Sequence, residues 1–131
     1  MAMTRDEVYA KVQQVLEDAL GVDADEVKPD AALVDDLGME SIDALDIVFR
    51  LEKAFGIKIP RGELFPENLP ELMQDQRFVV DGKITPDGMA ELKKRMPFAD
   101  LGPLEANPTV EQAKRLLNVG AVVSYVQSKL P

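Results

Sequence analysis

The fold is decided by residues 35–60, which read DDLGMESIDALDIVFRLEKAFGIKIP. After Ser41 the apolar residues recur at helical spacing, and Gly56 ends the run. One stripe is predicted to comprise Leu45, Val48, Leu51 and Phe55, widened by Ala44 and Ile47. The stretch therefore predicts an amphipathic helix that begins at or beside Ser41 and follows an acidic, glycine-containing loop.

Two further helices are predicted at the ends of the chain. Thr4 and Glu7 form a capping box, and the apolar pattern then continues to Gly21, which predicts a first helix over residues 5–20. A closing helix is marked by Val119, Val122, Val123, Val126 and Leu130. Residues 21–40 mix glycine, proline and aspartate with isolated apolar residues, which is typical of a long, partly packed loop. These patterns predict an all-α bundle.

Residues 66–107 look like an insertion with little core of its own, because they hold five of the nine prolines. Within them, Asp81-Gly82 favours a small hairpin with a type I′ turn. Thr85-Pro86 starts a short helix whose stripe is Met89, Leu92 and Met96. After the insertion, Thr109 caps a helix that is predicted to run through Leu117 and to break at Asn118 or Gly120.

Composition limits the possible functions. The 131 residues fit a single domain, 1–131, and 46% apolar content suits one modest core rather than two independent ones. The chain has no Cys and no His, which excludes disulfides and thiolate metal sites and disfavours unaided catalysis. The net charge of the whole chain is −9. Residues 1–60 carry most of it, with 14 acidic and 6 basic side chains. Such acidity repels nucleic acid and anionic membranes and attracts basic protein surfaces.

The motif Asp36-Leu37-Gly38-Met39-Glu40-Ser41-Ile42, with the helix that follows it, resembles the signature of acyl carrier proteins. The match runs without a gap from Asp36 to Pro60, and the resemblance covers about 80 of the 131 residues. It implies a four-helix bundle, here with an insertion of approximately 66–107 between helix II and the last helix. It also implies that Ser41 receives 4′-phosphopantetheine from coenzyme A through a phosphopantetheinyl transferase, so that the chain is a carrier and not an enzyme.

The resemblance also implies a surface on helix II for partner enzymes. By position in the motif, the partner-facing residues are Glu40, Ile42, Asp46, Phe49 and Glu52. Glu40 and Ile42 stand where the family usually has Asp and Leu, which bears on the choice of partner. The expected partners are acyl synthases, transferases and other lipid-biosynthetic enzymes with basic docking surfaces.

A finer resemblance concerns specialised carriers that bear very long acyl chains for lipid A. It rests on residues 45–60 and on Val80-Asp81-Gly82-Lys83 within the insertion. The implied function is to hold acyl intermediates as thioesters for fatty acid or specialised lipid biosynthesis. A monomer is expected. The expected location is the cytoplasm, because no apolar stretch is long enough for a signal peptide or a membrane span.

The residues themselves agree with this assignment of Ser41. A phosphodiester on a serine at a helix start lies at the positive end of the helix dipole. Gly38 lets the chain turn closely before the helix and clears space for a modifying enzyme. Three alternatives stay open at this point: Ser41 as a plain N-cap residue of an unmodified interaction module, a peptidyl carrier protein and a polyketide carrier protein.

Overall fold

Helices dominate the computed structural model, which describes residues 3–60, 62–65, 71 and 74–130, and the backbone but not the side chain of Ser41. In chain order the elements are α1 (Arg5–Leu20), a 3₁₀ turn (Ala24–Glu26), α2 (Ser41–Phe55), β1 (Val79–Val80), β2 (Lys83–Ile84), α3 (Pro86–Arg95), α4 (Gly102–Ala106), α5 (Val110–Lys114) and α6 (Val119–Lys129). The predicted all-α class is confirmed. Among the described helices, none has the length and apolarity to cross a membrane.

Helix α1 has the predicted bounds because both of its ends are capped by local residues. The Thr4 hydroxyl accepts a hydrogen bond from the Glu7 amide (3.2 Å), and the Glu7 carboxylate accepts one from the Thr4 amide (3.0 Å). At the other end Gly21 adopts the left-handed conformation at φ 68°, which is typical of a helix C-terminus.

Helix α1 packs against α2 and α6 and forms what we call the bundle core. Helix α2 contributes Ile47 and Leu51, which are fully buried. Leu45 was expected in the buried stripe, and that prediction is wrong, because its side chain is 62% exposed. Successive residues are about 100° apart around a helix, so Leu45 lies nearly opposite Ile47. The helix is therefore turned about its axis relative to the predicted stripe, with Ile47 inside.

A second core lies between the bundle and the hairpin. Its buried side chains are Ile84, Leu92, Met96, Leu104, Ala113 and Leu116. The expectation of an insertion with little core of its own is therefore wrong. The second core forms because residues beyond 107 pack against those of the insertion. The sequence pattern within residues 66–107 did not reveal this contact. Phe98 and Leu117 pack against both cores and connect them.

The predicted hairpin is confirmed. Val79 pairs with Ile84 and Val80 with Lys83, so that two residues form the turn between the strands. Asp81 (φ 51°) and Gly82 (φ 75°) both have the positive φ that a type I′ turn requires. The Ile84 amide also donates to the carbonyl oxygen of Pro108 (2.7 Å), which ties the hairpin to the segment before α5.

The helix predicted from Thr109 to Leu117 is shorter than expected. Its start is confirmed, since the Thr109 hydroxyl accepts from the Gln112 amide (3.2 Å), but α5 ends at Lys114 and not at Asn118 or Gly120. The carbonyl oxygen of Leu117 instead accepts a hydrogen bond from the Leu33 amide (3.0 Å). Pairing with a distant loop thus ends the helix early, and the Asn118 side chain caps α6 instead.

Candidate functional site

The loop before α2, residues 29–40, is anchored to the bundle core. Its side chains Leu33, Leu37 and Met39 are each at most 7% exposed. Within it the Gly38 amide donates to the Val34 carbonyl (3.1 Å), and the Met39 amide donates to the Leu33 carbonyl (2.9 Å). The predicted partly packed loop is confirmed. Buried anchors and backbone hydrogen bonds together set the path by which the chain reaches α2.

Gly38 is required by its backbone conformation. Its φ of 73° lies in the left-handed region, where residues with a Cβ are strained. A Cβ added at this position would meet no atom of the chain within 4 Å. The surroundings of Gly38 are therefore open, and the glycine serves the turn itself rather than a close contact within the chain.

Helix α2 begins at Ser41, with Glu40 in the N-cap position. The Glu40 amide donates to a carboxylate oxygen of Asp43 (2.9 Å), and the Asp43 amide donates to the carbonyl oxygen of Glu40 (3.0 Å). Ser41 is thus the first helical residue and not the N-cap, so the interpretation of Ser41 as a plain N-cap residue does not hold. The Ser41 side chain lies outside the described residues, and the expected exposure of its hydroxyl remains a prediction.

Helix α2 presents an apolar stripe to solvent beside Ser41. Ile42 is 77% exposed and Phe49 is 56% exposed, and Leu45 lies between them. Their spacing of three and four residues places the three side chains on one face, opposite the buried Ile47. Ile42 and Phe49 were predicted to face partners, whereas Leu45 was predicted to lie in the packed stripe. Its spacing from those two residues was the signal that would have found it.

The acidic residues near this exposed stripe differ in exposure and in their hydrogen-bond partners. Glu40 and Asp46 are exposed, and Asp46 pairs with Arg50 one turn further on (3.0 Å), a surface pair of small energetic value. Glu52 is half-buried, and its carboxylate accepts a hydrogen bond from the Ile59 amide (3.0 Å). Of the predicted partner-facing residues, Glu40, Ile42, Asp46 and Phe49 are therefore exposed to solvent, while Glu52 holds the connector after the helix.

The carboxylate of Asp36, in the loop before α2, is held in its ionised form. The Arg115 guanidinium, followed by the Ala32 amide, lowers the pKa of Asp36 below its usual range through hydrogen bonds of 2.8 Å each. Asp36 is consequently a stable negative charge five residues before Ser41. Within the described residues there is no cluster of three or more carboxylates that suits a metal ion.

The site suits a group that is attached covalently and extends into solvent better than a ligand that is enclosed in a pocket. The start of a helix of 15 residues provides free amide groups and a positive dipole end, which stabilise a phosphate nearby. The neighbours on both sides, Glu40 and Ile42, are exposed and leave the approach from solvent open. A phosphodiester arm attached here would be favoured by the helix and would extend into solvent.

Comparisons with known proteins point to the same segment. The profile described as "Phosphopantetheine attachment site" matches residues 10–72. The chain is similar to the acyl carrier protein of Rubrobacter xylanophilus, with 43% identity over 61 residues, which cover 47% of this chain and 75% of that protein. Identity to the acyl carrier protein of Thermotoga maritima is 39% with the same coverage. Identity to acyl carrier protein AcpXL of Brucella melitensis is 46% over 52 residues, or 40% of this chain and 56% of that protein.

Proposed function

The chain belongs to the acyl carrier protein family, and we propose that Ser41 is the residue to which its 4′-phosphopantetheine arm is attached. Membership confirms the predicted family and cofactor, and it confirms that the chain is a carrier and not a catalyst. The arm supplies a terminal thiol on which acyl groups are held as thioesters. What the protein itself provides is the attachment point, its surroundings and the surface that partner enzymes bind.

One observation carries the assignment of Ser41. Residues 10–72, which match the attachment-site profile, contain a single serine, Ser41, and neither threonine nor tyrosine. Attachment through a phosphodiester requires a hydroxyl group. The backbone position of Ser41 at the first residue of α2, beside exposed neighbours, supports the same choice.

The stripe formed by Ile42, Leu45 and Phe49 supports a role for α2 in docking partner enzymes. Exposed apolar side chains of this size are costly to leave in water unless a partner covers them. Glu40 beside the stripe would attract basic groups on that partner and hasten its approach, and Asp46 would do so less because Arg50 pairs with it. We assign the partner-binding surface to these residues, and Glu52 contributes to it less because its carboxylate is already engaged by the Ile59 amide.

The pathway that we propose is fatty acid or specialised lipid biosynthesis, with acyl synthases and transferases as partners. Its support is the similarity to acyl carrier proteins, among them AcpXL of Brucella melitensis and of Mesorhizobium japonicum. Intact-mass measurement of the protein purified from its native cell tests this part. Fatty acyl thioesters are expected, whereas a bound amino acid or polyketide unit would replace the lipid assignment by one of the alternative carrier classes.

The attachment site is tested by incubating the protein with coenzyme A and a phosphopantetheinyl transferase. The wild type should gain the mass of one phosphopantetheine, and Ser41→Ala should gain none. Ser124→Ala is the matched control, since it removes a serine outside the matched segment, and it should be modified like the wild type. A wild type that gains no mass, or a gain that persists in Ser41→Ala, would overturn the proposal.

A further inference from the structure

The start of α6 lies against the loop before α2. The Val119 amide donates to the Ala31 carbonyl (3.0 Å), and the Gly120 amide donates to the Pro29 carbonyl (2.8 Å). The approach is close, because a Cβ on Gly120 would lie 3.1 Å from that same Pro29 oxygen. A segment that follows the matched residues 10–72 by more than forty positions thus forms one wall of this loop.

Arg115 fastens the same loop through its side chain. One guanidinium nitrogen lies 2.8 Å from the Asp36 carboxylate and 3.4 Å from the carbonyl oxygen of Asp30. The same Asp36 oxygen accepts a hydrogen bond from the Ala32 amide (2.8 Å). Arg115 therefore holds both ends of the turn that spans residues 30–36.

This turn leads directly to the start of α2. The Asp36 amide donates to the Ala32 carbonyl (2.9 Å), and the next three amides along the chain, of Leu37, Gly38 and Met39, donate to the same turn. Glu40 then caps the helix that begins at Ser41. A shift of the Asp36 carboxylate consequently moves the residues that place Ser41.

The ion pair has the character of a local restraint. The side chains of Arg115 and Asp36 are 41% and 40% exposed, so water competes for both and the pair contributes little to global stability. Its geometry is nevertheless defined, because the carboxylate has two donors and the guanidinium has two acceptors. Loss of the pair is expected to loosen the loop while the fold persists.

We propose that Arg115 is a positioning residue for the modification of Ser41: it fixes Asp36, and thereby the loop before α2, in the arrangement that the phosphopantetheinyl transferase binds. This inference rests on the proposed attachment at Ser41. It makes a residue outside the matched family segment part of the attachment site. Helix α5 and the residues directly after it then have a role at that site as well as in the second core.

The test compares rates of modification by a phosphopantetheinyl transferase with coenzyme A. Arg115→Ala should lower kcat/KM for the carrier about tenfold, since small misplacements of a reacting group have effects of this order or larger. Lys114→Ala is the matched control: it removes the same charge from the adjacent residue, whose exposed side chain forms no ion pair with any described residue. It should be modified at the wild-type rate.

A double-mutant cycle tests whether Arg115 acts through Asp36. Asp36→Asn keeps an acceptor for the Ala32 amide and should by itself reproduce the loss seen with Arg115→Ala, so the result does not depend on the folding of one variant. Arg115→Ala in the Asp36→Asn background should cause no further loss. Equal rates for Arg115→Ala and Lys114→Ala, or a full second loss in the Asp36→Asn background, would overturn this inference. A wild type that is not modified at all would instead overturn the attachment at Ser41.

Discussion

Replacement of Gly38 by alanine tests whether the turn before α2 controls modification of Ser41. At φ 73° an L-residue is strained by about 1–2 kcal/mol. Alanine also restricts the unfolded chain, which offsets this cost by about 0.4–1 kcal/mol. Because an added Cβ meets no atom within 4 Å, no steric term is added. The free energy of unfolding should therefore fall by about 1 kcal/mol, and by no more than about 1.6 kcal/mol, provided that the turn keeps its conformation.

Gly56 offers a matched control for this substitution. It has φ 65° and equally open surroundings, but it lies at the far end of α2. Gly56→Ala should cost a similar amount of stability, as measured by urea unfolding with an unchanged m-value. Only Gly38→Ala should also slow the transfer of phosphopantetheine from coenzyme A, since only that variant strains the turn that leads to Ser41.

Two results would refute this reasoning. If Gly38→Ala is as stable as the wild type and is modified at the wild-type rate, the left-handed conformation does not constrain the site. If Gly38→Ala and Gly56→Ala slow modification equally, the effect follows from lost stability and not from the position of the turn. Gly38→Asn refines the comparison, because asparagine tolerates the left-handed region better than alanine and should restore part of the rate.

Three further predictions concern the two cores. Leu51→Ala should lower the free energy of unfolding by about 2–5 kcal/mol, whereas Leu45→Ala should change it by less than about 0.5 kcal/mol in the same urea titration. Gly88→Ala should destabilise the protein by about 1–3 kcal/mol in thermal or urea unfolding, because the new Cβ would lie 2.4 Å from a backbone oxygen. Hydrogen bonds from Lys129 and from Tyr125 lower the pKa of Glu63 below its ordinary value of 4.5. Glu63→Gln should therefore be less stable than the wild type at neutral pH, and the difference should disappear as the pH falls from 4.5 through the lowered pKa; a difference that is constant with pH would contradict this.

The elements that the sequence predicted well are those whose determinants are neighbours along the chain. The capping box at Thr4 and the glycine at position 21 bound α1, and Asp81-Gly82 forms the turn of the hairpin. Each of these features depends on residues within about one helical turn of one another. The motif around Ser41 is equally local, and its family was identified from it.

The features that the sequence did not reveal depend on distant contacts. Leu45 and Ile47 fit a helical apolar pattern almost equally, and only packing against α1 decides which of them is buried. The second core joins residues of the insertion to Ala113 and Leu116, beyond its predicted end. The pair of Arg115 with Asp36 spans 79 positions, which no local pattern indicates.

The cap of helix α2 has a consequence for a protein that is loaded and unloaded repeatedly. The reciprocal hydrogen bonds between Glu40 and Asp43 secure the helix start without assigning the N-cap position to residue 41. Attachment of the proposed arm to that residue would take no partner away from this cap. The forms with and without the arm should thus share one helix register, so that the enzymes that load and unload the arm meet the same scaffold as the transferase that attached it.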